Sequence, residues 1–348
     1  MKRSFVRQAV ERMRAYTPGE QPREPGFIKL NTNENPYPPS PAIREALDRP
    51  LDRLRLYPDP LCLELRRELA RLHGCRVEQV FVGNGSDEIL TLCVRAFVER
   101  DGTIGYFEPS YSLYPVLAAA EDLAVRPVPL APDFTWAMPE NYAASLFFLT
   151  TPNAPTAVQY PRETVRAFCA RFPGVVVLDE AYVDFAREHF MDLALEFGNV
   201  LVARSLSKSY SLAGLRVGYV VGAEPLVAAM YKIKDSYNVD RLAQEIALAA
   251  VRDQAHMRAN AERIRATRER AAGALRRRGF EVGPSESNFL WVRPVRRAAK
   301  ELYEALRERK ILVRYFPGAR TGEYLRITVG ADAEMDALLK ALDVSPAG

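Results

Sequence analysis

The segment VLVARSLSKSYSLAGLRVGY, residues 200–219, sets Ser205, Ser207, Lys208 and Arg216 between two apolar runs. Serine hydroxyls and a guanidinium fork suit a phosphate dianion. A lysine near a second cation and partly desolvated loses basicity, as an imine-forming nucleophile must. A second polar turn, GNGSDE at 83–88, joins an apolar run to a helical pattern. Its glycines let backbone approach an anion, and a helix N-terminus offers free N–H groups. As a plain turn, it would use Ser86 or Asp87 to cap that helix. It lacks the third glycine of a dinucleotide fingerprint and the GK[ST] of a Walker loop. TPNAPTA at 151–157 holds Asn153 between two prolines, and VVVLDEAY puts Asp179 at the end of an apolar run. A carboxylate there is costly unless a cation pairs with it.

These segments are far apart in the chain, so a scaffold must gather them. Short apolar runs near 80, 105, 146–150, 175–180, 200–205 and 216–222 alternate with helical patterns at 61–73, 86–98, 111–120, 162–171 and 224–234. The alternation predicts an α/β fold whose central sheet is mostly parallel and covered by helices on both faces. Ligands of such sheets bind beyond the carboxyl ends of the strands, and most of the polar residues above fall at those ends. The organisation predicted is an N-terminal arm at 1–45, a large domain at 46–240, a long connecting helix at 241–280 and a small α+β domain at 281–348. The proline-rich LNTNENPYPPSP reads as an extended stretch that is not packed.

Composition bounds the function. With 348 residues, 48% hydrophobic and 26% charged, the chain can bury a real core, which excludes global disorder. Its net charge of +4 tolerates anionic ligands, but no basic, aromatic-interleaved stripe marks a nucleic-acid surface. Cys62, Cys75, Cys93 and Cys169 form no CxxC pair, and His73, His189 and His256 lie far apart. Neither a disulfide framework nor a metal site is expected, and the pattern reads as reduced and cytoplasmic. The charged N-terminus lacks an apolar signal core, and no stretch is apolar enough to span a membrane.

An amine, an anion cradle and a strand-end carboxylate on one sheet edge suit pyridoxal 5'-phosphate. The cradle takes the phosphate, the lysine forms the imine, and the carboxylate keeps the pyridine nitrogen protonated. Beyond this, the ordered motifs NENP, YPD, GNGSDE, EPSY, TPNxPT, LDEAY, SLSKSYSLAGLRVGY and LRITVG resemble those of the class II, fold-type I pyridoxal-phosphate aminotransferases. The resemblance covers nearly the whole chain and implies that family's fold: a large cofactor-binding domain, a smaller α+β domain and an N-terminal arm. It implies that Lys208 carries the cofactor and moves the proton between substrate Cα and cofactor C4′. Asp179 is implied as the partner of the ring nitrogen, Asn153 and Tyr182 as partners of the ring hydroxyl, and Tyr111 as the aromatic stacked on the ring. Gly85, Ser86 and Asp87, with Ser205, Ser207 and Arg216, are implied at the phosphate. Tyr57 is implied to reach the neighbouring subunit's cofactor phosphate, hence a homodimer with shared active sites.

Arg326 matches the arginine that holds the substrate carboxylate, and Arg314 and Tyr16 match groups that take a substrate phosphate. Asn33 and the rest of NENP are expected at the substrate mouth. The implied reaction interconverts histidinol phosphate and 2-oxoglutarate with imidazole acetol phosphate and glutamate, in histidine biosynthesis. Rivals on the same fold are an aromatic amino-acid aminotransferase and a threonine-phosphate decarboxylase. Rivals of other classes are a serine acyl-transfer enzyme, from Ser205-x-x-Lys208 with Arg320-Thr321-Gly322, and a non-catalytic anion-binding protein. One departure is clear: the family's TPNNPTG reads TPNAPTA here, which puts the local loop geometry in question.

Overall fold

The proline-rich arm is extended but packed, which corrects the expectation of a free segment. Its strand β1 (Ile28–Lys29) pairs in parallel with Ile311–Leu312 near the other end of the chain. Leu30, Asn31 and Asn33 are buried. The arm's polar groups find partners that composition does not name: Asn33 N–H donates to Thr328 Oγ1 at 3.0 Å, and the Asn35 amide to the carbonyls of Lys208 at 3.0 Å and Ser209 at 3.2 Å. The computed structural model describes residues 4–47 and 51–343. The start of the charged N-terminus, residues 48–50 of the expected large domain and the tail of the expected small one lie outside the described residues.

Seven strands follow: β2 (Val80–Gly83), β3 (Thr103–Glu108), β4 (Ala124–Pro129), β5 (Leu146–Thr150), β6 (Val175–Asp179), β7 (Val200–Ser205) and β8 (Gly218–Gly222). They form one sheet in the order β2-β8-β7-β6-β5-β3-β4. The pairs from β4 to β7 are parallel, and β8 is antiparallel to both its neighbours. The sheet is therefore mostly parallel. β8 reverses because residues 206–217 contain only a 3-10 turn, Ala213–Leu215, and no crossover helix. It also starts two residues later than the apolar run at 216 suggests, since Arg216 adopts a left-handed φ of 58°.

Alternate strand residues enter different cores, as a sheet covered on both faces requires. Phe147, Leu149, Val176, Leu178, Val200 and Val202 join one cluster, and Phe148, Val177, Leu201 and Ala203 the other. β4 escaped the sequence reading because Pro127 and Pro129 break its pattern. It is a mostly exposed edge strand, where prolines are tolerated.

The expected long connecting helix is two helices, Arg241–Arg252 and Gln254–Arg277. Asp253 leaves helical geometry at ψ 64° and its carboxylate accepts from His256 N–H, starting the second helix. The chain then builds β9 (Phe280–Val282), β10 (Phe289–Pro294), β11 (Ile311–Leu312), β12 (Arg314–Tyr315) and β13 (Leu325–Thr328). β12, β13, β10 and β9 form an antiparallel sheet, packed with the helices Ala299–Glu308 and Asp332–Asp343. Among the described residues, no helix is long and apolar enough to cross a membrane.

Candidate active site

Strand direction decides which residues can meet. β5, β6 and β7 are parallel, and their last residues Thr150, Asp179 and Ser205 reach one edge of the sheet. β8 begins at that edge, with Gly218 opposite both Ser205 and Gly83, so β2 also ends there. The strands pack closely at this corner. A Cβ on Gly218 would lie 2.7 Å from Ser86 N, and one on Gly85 (φ +79°) 2.6 Å from Arg216 Nη2.

The helix Gly85–Phe97 starts here with Asn84 at its N-cap and no side-chain cap, which corrects the capping role for Ser86 or Asp87. Its first N–H groups are left for another acceptor. Arg216 bonds Asp87 Oδ2 at 3.1 Å and lies 3.4 Å from Ser207 Oγ, and Tyr111 hydroxyl donates to Asp87 Oδ1 at 3.2 Å. Donors without a cap, two serines and a guanidinium fit a phosphate monoester.

One cavity opens on this edge. From the large sheet it gathers Ser86, Asp87, Tyr111, Asp179 and Tyr182, and from the loop after β7 it gathers Ser205, Ser207, Lys208 and Arg216. Tyr16 and Asn33 come from the arm, and Arg314 and Arg326 from the small sheet. Asp179 is buried, accepting from Tyr114 hydroxyl at 2.9 Å and Ala181 N–H at 3.2 Å. Burial pushes its carboxyl up to about 6. Lys208 Nζ donates to Thr32 carbonyl at 3.2 Å. Desolvation, then the charge of Arg326, pulls its amine down to about 8. A buried acid and a weakened amine on one cavity suit a protonated heterocycle and an imine.

The opposite wall is cationic. Arg314 and Arg326 are direct partners across β12 and β13, so both side chains leave the same face. Arg326 donates to Asn31 carbonyl at 2.9 Å, while its Nε is buried without a partner. Desolvation, with Arg314 adding to it, lowers its pKa. Arg314 donates to the carbonyls of Thr17 at 2.7 Å and Pro18 at 2.9 Å, tethering the segment that carries Tyr16. Two adjacent guanidiniums without a carboxylate partner among the described residues call for an anion.

Two contacts expected to this chain's cofactor, Gly85 and Asn153, are not on the wall, nor is Tyr57, which the resemblance implies at the partner's. Gly85 sits behind Arg216, where it makes room for the guanidinium. Asn153 is buried one layer back, with its amide protons on Pro109 carbonyl at 3.1 Å and Thr156 Oγ1 at 2.9 Å. Its neighbour Ala154 lines the cavity instead. Tyr57 is 77% exposed and stacked on Tyr237, with centroids 4.4 Å apart. It does not line this chain's own cavity; the resemblance implies it at the neighbouring subunit's.

Tyr182 does line the cavity, its hydroxyl accepting from Asn33 Nδ2 at 3.0 Å. Residues not singled out from sequence include Thr32, whose carbonyl holds Lys208, and Phe289 and Phe316, each 5.3 Å from the Arg326 guanidinium. Only the repeated aromatic spacing of EPSYSLY hinted at Tyr114.

Ala157, at the glycine position of the family motif, adopts φ +64° and is fully buried against Ala154 and Phe289. The left-handed penalty of about 1–2 kcal/mol is largely offset by the buried methyl, about 0.8 kcal/mol, and by lower unfolded-chain entropy, about 0.4–1 kcal/mol. Ala157→Gly should therefore change stability by less than about 1 kcal/mol. Ala157→Val, branched and overpacked, should cost about 2–4 kcal/mol. Urea unfolding of both variants checks this; a strongly stabilised glycine variant would contradict the offset.

Comparisons with known proteins follow the same lines. The family model "Aminotransferase class I and II" matches residues 25–342. A histidinol-phosphate aminotransferase of Synechocystis sp. is 46% identical over 338 residues, covering 97% of each chain. The crystal structure of histidinol-phosphate aminotransferase from Sinorhizobium meliloti in complex with pyridoxal-5'-phosphate superposes with a TM-score of 0.88 at 26% identity, covering 98% of this chain and 97% of that one. L-threonine-O-3-phosphate decarboxylase from Porphyromonas gingivalis superposes with a TM-score of 0.80 at 25% identity, covering 91% of this chain and 98% of that one.

Proposed function

The chain belongs to the class I and II aminotransferase family, and from that premise we propose that it interconverts histidinol phosphate and 2-oxoglutarate with imidazole acetol phosphate and glutamate. This is a transamination step of histidine biosynthesis, with pyridoxal 5'-phosphate as cofactor. The observation that carries the reading is the charge of the cavity: four cations, Lys208, Arg216, Arg314 and Arg326, face two carboxylates, Asp87 and Asp179. Among the described residues, only Arg216 of the four has a carboxylate partner. Such a site selects substrates and a cofactor that bring negative charge.

When bound, the cofactor supplies a protonated ring that acidifies the substrate Cα–H. Asp179 holds that proton on the ring nitrogen. Lys208 Nζ would be the group that takes the proton from substrate Cα and carries it across the cofactor face. Tyr111 would cover the ring, and Tyr182, steadied by Asn33, would serve its hydroxyl. The Ser86–Asp87 turn, Ser205, Ser207 and Arg216 bind the cofactor phosphate. Arg326 takes the α-carboxylate of glutamate. Histidinol phosphate carries a phosphooxymethyl group where glutamate has that carboxylate, so Arg314 and Tyr16 extend the anion site outward. In this reading residues 46–240 form the cofactor-binding unit, 241–280 the connection, and 281–348 with the arm the substrate-gripping unit.

Arg314→Ala should therefore raise KM for histidinol phosphate about tenfold, with a smaller effect on glutamate. Equal effects on both would remove Arg314 from the phosphate. The overall reading is tested by comparing histidinol phosphate, phenylalanine and threonine phosphate as substrates of the purified holoenzyme. A preference for phenylalanine, or carbon dioxide released from threonine phosphate, would overturn it. Serine acyl transfer has little support: Lys208 turns to Thr32, and Arg320 donates to the carbonyls of Leu130 and Ala131.

The enzyme is, in the same reading, a homodimer in which Tyr57 reaches the other subunit's cofactor phosphate. Leu54, Leu56, Tyr57 and Leu61 expose a run of large apolar side chains, as an interface to be covered would. Sedimentation equilibrium should give twice the 39.1 kDa of the chain; an active monomer would sink this part.

A further inference from the structure

Tyr114 is wholly buried at the start of a helix, its ring stacked on Phe148 with centroids 4.6 Å apart. Its hydroxyl donates to Asp179 Oδ2 at 2.9 Å and also bonds Thr150 Oγ1. Thr150 Oγ1 lies 3.1 Å from Ser110 Oγ, which in turn donates to Asn153 Oδ1 at 3.0 Å. Four close polar contacts thus run from Asn153 to Asp179, behind the cavity wall.

The direction of the chain follows from counting protons. The Asn153 amide cannot be turned round, because its Nδ2 faces the Pro109 carbonyl at 3.1 Å, a group that only accepts. With Asp179 ionised, both ends of the chain are acceptors. Three hydroxyls supply three protons for four contacts, so one contact carries no hydrogen. Ser110 donates to Asn153 and Tyr114 donates to Asp179, which leaves the empty contact on one side of Thr150. Thr150 has one proton for two neighbours, and donating it to Tyr114 strengthens the donation to Asp179.

We propose that Tyr114 is a positioning residue of this enzyme: its hydroxyl, oriented by Thr150, holds Asp179 ionised and aimed at the cofactor's ring nitrogen. This rests on the reading of Asp179 given above. Tyr114 and the Ala181 N–H favour the carboxylate, while burial, Asp87 and Glu180 oppose it. Glu180 is itself paired with Arg204 at 2.8 Å. Without the tyrosine hydroxyl, Asp179 keeps only the Ala181 N–H, becomes more basic, and draws the shared proton away from the ring.

The test uses holoenzyme loaded with ring-¹⁵N-labelled pyridoxal 5'-phosphate. Tyr114→Phe keeps the stacked ring and should move the ring ¹⁵N resonance toward the unprotonated position. It should also weaken cofactor affinity about tenfold. Thr150→Val, which spares the Tyr114–Asp179 bond, should shift the resonance the same way but less, and it carries the test if Tyr114→Phe does not fold. In an Asp179→Asn background, Tyr114→Phe should add no further loss of affinity. An unmoved ¹⁵N resonance in both variants, or an undiminished loss in the Asp179→Asn background, would overturn the proposal, because packing alone would then explain Tyr114. If the native protein forms no visible-absorbing adduct with the cofactor, the functional reading falls first and this inference falls with it.

Discussion

Replacing Lys208 with alanine is expected to lower transamination by at least about 10⁴-fold and to remove the visible absorbance of the cofactor-loaded protein. The expectation rests on what surrounds the amine. Lys208 Nζ donates to the Thr32 carbonyl and has no carboxylate partner among the described residues. Desolvation and the charges of Arg326 and Arg216 pull it down to about 8, with Glu34 acting against them. An amine so placed is partly uncharged near neutral pH and is free to attack an aldehyde. Cofactor uptake by the cofactor-free protein should accordingly speed up as pH rises toward about 8 and level off above it. Lys208→Arg keeps the charge but cannot be deprotonated, so it should be as inactive as the alanine variant. Persistence of the visible band in either variant would refute the assignment.

The second large effect is expected at Arg326. Arg326→Leu should lower kcat/KM for glutamate and for histidinol phosphate by about 30- to 1000-fold, the loss of roughly 2–4 kcal/mol of charge-assisted binding. Stability should hold or rise slightly, because the change removes a cation whose Nε is buried without a partner and which stands beside Arg314. Opposite signs in activity and stability identify a residue kept for its ligand. Arg326→Lys should recover little, since an ammonium cannot grip a carboxylate with two parallel bonds. Bleaching of the visible band by glutamate, followed in a single half-reaction, separates this loss from any change in cofactor content. An unaltered bleaching rate would reject the assignment.

Much of the site was legible because its residues carry their meaning locally. Asp179 ends an unbroken apolar run, and that alone marks a carboxylate held at a sheet edge. Lys208 and its serines occupy a polar gap between two apolar strands, as the alternation required. Asn153 shows the limit of such reading. The asparagine of the motif is kept, but the fold spends its amide on Pro109 and Thr156 and leaves Ala154 at the wall. The arm shows the same limit from the other side. Nothing in LNTNENPYPPSP announces that Asn35 holds the carbonyl of Lys208, 173 residues away.

The alternation of strands and helices in the large domain, apart from β4, the polar residues at strand ends and the family were decided by the sequence, since periodicity and motif are local properties of the chain. Tertiary structure alone decided that β8 reverses, that Arg314 and Arg326 stand side by side on one face, and that Tyr114 reaches Asp179 through the core. Those facts depend on register and on contacts between distant segments. A hydrogen bond or a repulsion between two side chains exists only once the fold has fixed their distance and removed the water between them.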